Sequence, residues 1–243
     1  MSDDVGFKEA LTQLFLKHKI TCIIESGTFR GLGSTSTLAQ VIEQVGIFKP
    51  EFYTIEVDKQ IHQEALENLK HYDFIKPLCG LSVSYSDAVR FIKTDEAIIH
   101  HQKYPNVYID DVFTPQKFYM KEIKGKISNM LGEKISIWNR FKRKIGIDNM
   151  GDYKGTQNLL IDLLDKYKNE KPLVLLDSAG GIGYLEFLKV METMQNKPFY
   201  LILDDIHHLK HFRSYESIKK DENFTIMALN EDNGWLICSY KMS

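Results

Sequence analysis

The chain has 243 residues, 43% hydrophobic and 26% charged, and its 31 basic side chains nearly balance 33 acidic ones for a net charge of −2. That composition describes an ordinary soluble domain, long enough for one well-buried α/β core that needs neither disulfides nor a structural metal. It gives no electrostatic footprint for broad nucleic-acid binding, and no apolar run approaches the length of a bilayer span. The three cysteines are odd in number and lack CxxC spacing, and Cys22 and Cys238 sit in apolar runs. They read as buried thiols in a reducing, cytoplasmic compartment. The amino-terminal MSDDVGFKEALTQLF is acidic where a signal peptide would start basic.

Along the chain, short apolar runs closed by an acid or a glycine turn alternate with helix-like stretches, the pattern of parallel βαβ units. Strand 20–25 (ITCIIE) leads through a glycine loop to a helix over 36–45, and strand 52–56 (FYTIE) leads to a helix over 59–71. A weaker third strand is read at 82–85, before a short helix over 87–93. Later come a helix at 159–167 and strands at 173–177 (LVLLD), 199–205 (FYLILDD), 225–229 and 234–240. The last two form an antiparallel pair around the turn-like NEDNG. The whole, 1–243, reads as one α/β domain.

Residues 97–157 interrupt the alternation and read as an insertion that carries specificity. Between Lys117 and Lys154 it holds ten Lys or Arg against four acids, and Ile127, Met130, Leu131, Ile135, Trp138, Phe141 and Ile145 recur there at helical spacing. Three uses suit such a stretch: a lid helix with one solvated face, a basic entrance for an anionic substrate, or a helix lying on a membrane surface.

The stretch IIESGTFRGLGSTSTLAQ places Glu25 at a strand end, then Gly27, Gly31 and Gly33, then a helix opened by Ser34 and Thr35. Glycines let the backbone approach a ligand closely, and the amides and hydroxyls of the helix start donate to a carboxylate or phosphate. The spacing is not the dinucleotide fingerprint, and no lysine follows as a phosphate loop requires. The next strand ends in Glu56, suited to ribose hydroxyls, and the third leads to Ser86 and Asp87, placed for an adenine. All would share the carboxyl edge of a parallel sheet.

In these motifs the chain resembles the class I S-adenosylmethionine-dependent methyltransferases. ESGTFRGLGST, FYTIEVD, LDSAGG and LILDDIHHLKH are similar more narrowly to the macrocin-type sugar and small-molecule O-methyltransferases. The resemblance covers 20–93 and 172–240. It implies a Rossmann-like, seven-stranded, mostly parallel sheet with an antiparallel last strand and helices on both faces. It also implies that Glu25, Gly27, Thr28, Gly31 and Ser34 line the methionine part of the cofactor, Glu56 the ribose, and Ser86 with Asp87 the adenine. A permuted nucleotide site at LVLLDSAGGIGYLEF is the rival, but too little chain follows Asp205 to complete it.

Asp177, Asp204 and Asp205 close two later strands and should converge at the same edge, where like charges repel unless a cation sits between them. Oxygen ligands of this kind suit Mg²⁺ or a similar divalent ion, and the resembling branch holds such a metal at these positions. In the alternative, one of these acids caps a turn and another pairs with Lys210 or Arg213. His207, His208, Lys210 and His211 follow, and an imidazole near neutrality can take a hydroxyl's proton; His208 is the first choice for the base, His207 the second. Some relatives carry another acid two residues past the first metal ligand, where this chain has Ala179.

The expectation is therefore methyl transfer from S-adenosylmethionine to a hydroxyl of a sugar, glycan or other polar small molecule, assisted by a divalent metal. An anionic acceptor and a homo-oligomer both fit. A nucleotide-sugar or NAD-dependent oxidoreductase, or a cofactor-binding domain without turnover, would use the same edge.

Overall fold

The computed structural model describes residues 3–46, 48–130, 155–178 and 180–241. Its seven strands are β1 (Cys22–Ser26), β2 (Glu51–Glu56), β3 (Ile75–Cys79), β4 (Leu173–Leu176), β5 (Phe199–Leu203), β6 (Phe224–Asn230) and β7 (Trp235–Tyr240). They form one sheet in the order β3-β2-β1-β4-β5-β7-β6. Neighbours from β3 to β5 pair parallel, and β7 runs antiparallel to both β5 and β6. The expected mostly parallel sheet with a reversed last strand is thus observed.

The alternation of side chains along each strand builds two cores, which is why the central strands read as continuous apolar runs. On one face Ile23, Phe52 and Leu175 meet α1 (Val5–Lys17), α2 (Ser34–Val45) and α3 (Lys59–Leu69) through Phe7, Leu38 and Leu69. On the other, Ile24, Val174 and Leu176 meet α7 (Leu159–Tyr167), α8 (Gly183–Thr193) and α9 (Phe212–Lys220). α4 (Tyr85–Thr94), α5 (Glu96–Ile99) and α6 (Pro115–Met130) lie between β3 and α7 in the chain. Cys22 and Cys238 are buried free thiols.

The third strand is corrected: it is Ile75–Cys79, and the stretch read as a strand at 82–85 turns into α4, whose N-cap is Ser84. Pro77 and Lys76 hide β3 from a pattern search, since proline removes a ladder donor; it is tolerated because β3 is an edge strand. α1 was not read from the sequence, although Phe7, Leu11, Leu14 and Phe15 bury one face of it.

Of the 97–157 segment, the described part packs a small core of Ile92, Ile98, Tyr119 and Leu209. Its far end is stitched to the stretch after β3: Leu81 N donates to Thr156 O (2.9 Å), and Leu159 N and Leu160 N donate to Leu81 O and Ser82 O (3.1 Å each). The basic amphipathic stretch with Trp138 and Phe141, and its lid, entrance and membrane-surface readings, fall largely on 131–154, outside the described residues, as does Ala179. Among the described residues, no helix is long and apolar enough to cross a membrane.

Candidate active site

Between β1 and β4 the strand order reverses, and ligands of open α/β sheets bind at the carboxyl ends of the strands beside such a point. Gly27 makes the closure there possible. Its φ is +110°, and a Cβ would lie 2.3 Å from the carbonyl oxygen of Asp177, so only glycine lets the β1 turn rest on the end of β4. Gly27 N and Thr28 N both donate to Ile55 O at 3.1 Å, which draws the loop onto β2. Gly31, at φ +72°, leaves room for Leu69 of α3.

Glu25 lies beneath this loop, fully buried. Ser34 donates to its Oε1 (2.7 Å), and Thr35 (2.7 Å) and Thr54 (2.6 Å) donate to Oε2. Burial pushes its pKa up to about 7 against the pull of those hydroxyls. Thr28 and Thr54 share a hydroxyl contact at 2.5 Å. Glu25, Thr28 and Ser34 therefore brace the loop from below, while Gly27 reaches the cavity above it.

That cavity, about 580 Å³, is walled by Gly27 and Glu56, by 80–82 after β3, by Asp177, and by Phe118 and Tyr119 of α6. Glu56 Oε2 accepts from Phe29 N (2.9 Å) and Oε1 from Asp58 N (2.8 Å), so the carboxylate ties the glycine loop to the start of α3. Ser86 and Asp87, expected at the adenine, stand in the first turn of α4 outside the lining; Asp87 pairs with Arg90. With β3 at Ile75–Cys79 instead of 82–85, Gly80, Leu81 and Ser82 stand at the wall.

Asp177, Asp204 and Asp205 do converge, each offering an oxygen within 4.8 Å of the others. Lys210, almost wholly buried, already stands among them, with Nζ 3.2 Å from Asp177 Oδ1 and 2.8 Å from Asp205 Oδ2. Burial opposes its charge, yet the Asp177, Asp205 and Asp204 carboxylates hold its pKa above the ordinary lysine value. Asp204 is pushed up to about 7, by burial first and then by repulsion from Asp177 and Asp205. One ammonium thus offsets only part of the gathered charge. The all-oxygen donor set and the residual repulsion fit a divalent cation.

The histidines depart from expectation. His207 is exposed, bonds Glu231 O (2.8 Å) and lies against Tyr215, away from the cavity. His208 is buried, and both its ring nitrogens are engaged. Nδ1 accepts from Lys210 N (3.1 Å), which puts the proton of the neutral ring on Nε2, 3.3 Å from Asp110 Oδ2. His208 thus faces Asp110 and is not among the residues that line the cavity. Asp110 lines the cavity, and the His208 hydrogen bond holds its pKa below the usual carboxylate value. His211 is fully buried, its pKa pulled well down by desolvation.

Sequence reasoning missed Asp110 and Tyr119, both in the insertion, and Glu186 of α8. Gly181 signals Tyr119, since a Cβ there would lie 2.7 Å from the tyrosine ring. Glu186, fully buried, accepts from the hydroxyls of Ser26, Ser82 and Ser178.

The sequence matches no protein-family model and no curated protein sequence. Solved structures do share the architecture. A Staphylococcus aureus protein assigned as a caffeoyl-CoA O-methyltransferase superposes with a TM-score of 0.51 at 14% identity, over 98% of this chain and 84% of that one. A Bacillus cereus O-methyltransferase in complex with SAH gives 0.49 at 12% identity (98% and 81% covered). TomG, an O-methyltransferase from Streptomyces achromogenes in complex with SAM, gives 0.47 at 10% (100% and 82%). The chain has the fold of the class I methyltransferases.

Proposed function

We propose that the protein transfers the methyl group of S-adenosylmethionine to a hydroxyl of a small molecule. The observation that carries this reading is the cavity at the carboxyl edge, where the Gly27 turn, Glu56 and Asp177 face one space. Glu56 takes the ribose hydroxyls, 80–82 meet the adenine, and the methionine part lies over Gly27 between β1 and β4. The lining holds Glu56, Asp110, Glu122 and Asp177 against Lys210, whose charge Asp177 and Asp205 already engage. A negative wall complements the cofactor's sulfonium and favours an uncharged acceptor over an anionic one. Phe118, Tyr119, Ile123 and Ile182 give the acceptor side an apolar surface.

Methyl transfer is an in-line displacement, so the chain's main contribution is positioning. Asp177, Asp204 and Asp205 would hold a divalent cation. Bound there, it would supply a lowered pKa to the acceptor hydroxyl. Lys210 orients Asp177 and Asp205, and its ammonium stabilises the developing alkoxide. Asp110, held by His208, is the cavity carboxylate placed to accept the proton. α6 excludes water through Phe118 and Tyr119. The reading is tested by incubating the protein with methyl-labelled S-adenosylmethionine, Mg²⁺ and a panel of hydroxylated aromatic and sugar acceptors. A labelled methyl ether supports it, whereas cofactor binding without any labelled product leaves a binding domain.

A further inference from the structure

The cavity lies at the carboxyl edge of the sheet, and the opposite edge carries a row of lysines. Lys19 precedes β1, Lys171 precedes β4 and Lys197 precedes β5, while Lys241 follows β7, whose last residue Tyr240 pairs with Phe199 at the start of β5. These four strands are neighbours in the sheet. Strands lie about 5 Å apart, so the four side chains leave one edge within roughly 15 Å. Lysines in the last turns of helices, such as Lys17 of α1 and Lys166 of α7, answer the partial negative charge there; the four in the row stand outside the helices. Among the described residues none of the four pairs with a carboxylate. Lys197 Nζ donates to Asn169 Oδ1 (2.9 Å) and Lys241 Nζ to Asn196 Oδ1 (2.6 Å), both neutral amides. Of the acids nearby, Glu51, Asp73 and Asp165 are engaged by Lys76, Lys49 and Lys168.

Two of the four hold their places at a conformational cost. φ is +55° at Lys171 and +48° at Lys241, left-handed positions that glycine or asparagine adopts more easily. What lysine adds there is a projecting charge. At the β1 end of the row Leu16 and Phe48 are 59% and 60% exposed, and Lys19 Nζ lies 5.9 Å from the centroid of the Phe48 ring. Apolar side chains standing in water beside ammonium groups suit a membrane interface, where the lysine stems carry charge to headgroup phosphates and the apolar groups enter the acyl boundary. A nucleic acid would call for guanidinium groups or a run of exposed rings, and among the described residues neither stands along this row. We propose that the amino edge of the sheet docks on a membrane leaflet rich in anionic lipid, through Lys19, Lys171, Lys197 and Lys241 with Leu16 and Phe48 at one end. Docked in this way, the protein holds its cavity on the side away from the bilayer, where ligands reach it from water.

The test is co-sedimentation of the full chain with vesicles of phosphatidylcholine containing about one third phosphatidylserine, against vesicles of phosphatidylcholine alone. Binding is expected only to the anionic vesicles and should fall steeply between about 0.1 and 0.5 M salt. Lys171→Gly removes a charge while relaxing its left-handed turn. It should leave the thermal midpoint unchanged or higher and lower the partition about fivefold. Adding Lys19→Gln and Lys241→Asn should bring the loss to about a hundredfold. No binding of the wild type to the anionic vesicles would overturn the proposal. So would binding that the triple variant retains in full, since the basic stretch between Lys117 and Lys154 would then carry it. Binding of polyuridylate that the same substitutions abolish, with vesicles left unbound, would make the partner a nucleic acid and overturn it too.

Discussion

Replacing Glu25 by Gln should change how the stability of the protein depends on pH. The Glu25 carboxyl is fully buried, and burial pushes its pKa up to about 7 from the ordinary glutamate value of 4.5. Between those values the folded chain keeps a proton that the unfolded chain has released, so the folded state binds more protons and stability falls as pH rises. The contribution is fully present below about pH 4.5 and is lost as pH climbs through about 7. A shift of this size corresponds to about 3 kcal/mol. Glutamine stays neutral throughout, and the hydroxyls of Ser34, Thr35 and Thr54 can rotate to meet an amide as donors or acceptors. Urea unfolding of both proteins at fixed ionic strength from pH 4.5 to 8 isolates the effect, because the other titrating groups are common to both. The stability difference should move in the variant's favour by about 3 kcal/mol across that range. A flat difference would mean that the hydroxyl cage outweighs burial and that the carboxylate is ionised in an ordinary way.

Other perturbations give further checks. Gly27→Ala forces a Cβ against the Asp177 carbonyl at positive φ and should destabilise the chain by about 2 to 4 kcal/mol in thermal or urea denaturation; an unchanged midpoint would contradict the close approach. Asp204→Asn should abolish Mn²⁺ binding measured by calorimetry and the Mg²⁺ dependence of turnover while leaving the fold intact, and full turnover in EDTA would remove the metal from the reaction. His208→Gln, which retains a donor toward Asp110, should keep turnover within about tenfold of wild type, whereas Asp110→Ala should lose about two orders of magnitude or more. The opposite ranking would restore the imidazole as the base.

Legibility in the sequence followed physical locality. Gly27 and Gly31 were visible because a strand that ends in a glycine turn before a helix is a local steric requirement, and Asp177, Asp204 and Asp205 because the strand ends themselves align them. The third strand was not, since Pro77 and Lys76 in Ile75–Cys79 break the apolar run that a central strand would show. Its displacement carried the adenine expectation to Ser86 and Asp87. The histidines were misjudged for a different reason: which of their nitrogens faces the cavity depends on the Lys210 amide and on Asp110, a residue about a hundred positions away. Glu186 was hidden in the same manner. Its meaning comes from hydroxyls on three separate segments, and nothing in YLEF distinguishes a buried carboxylate from a solvated one.

The central claim is that the carboxyl-edge cavity binds S-adenosylmethionine through Glu56 and the Gly27 turn. It is tested most directly by calorimetric titration of S-adenosylhomocysteine into the wild-type chain and into Glu56→Ala, with NAD as the control. Saturable one-to-one binding is expected for the wild type and none for NAD. The variant should remain folded and bind more weakly by about 1 to 3 kcal/mol, the cost of a lost hydrogen bond to a charged group. No binding to the wild type, or an affinity that the substitution leaves unchanged, would contradict the claim.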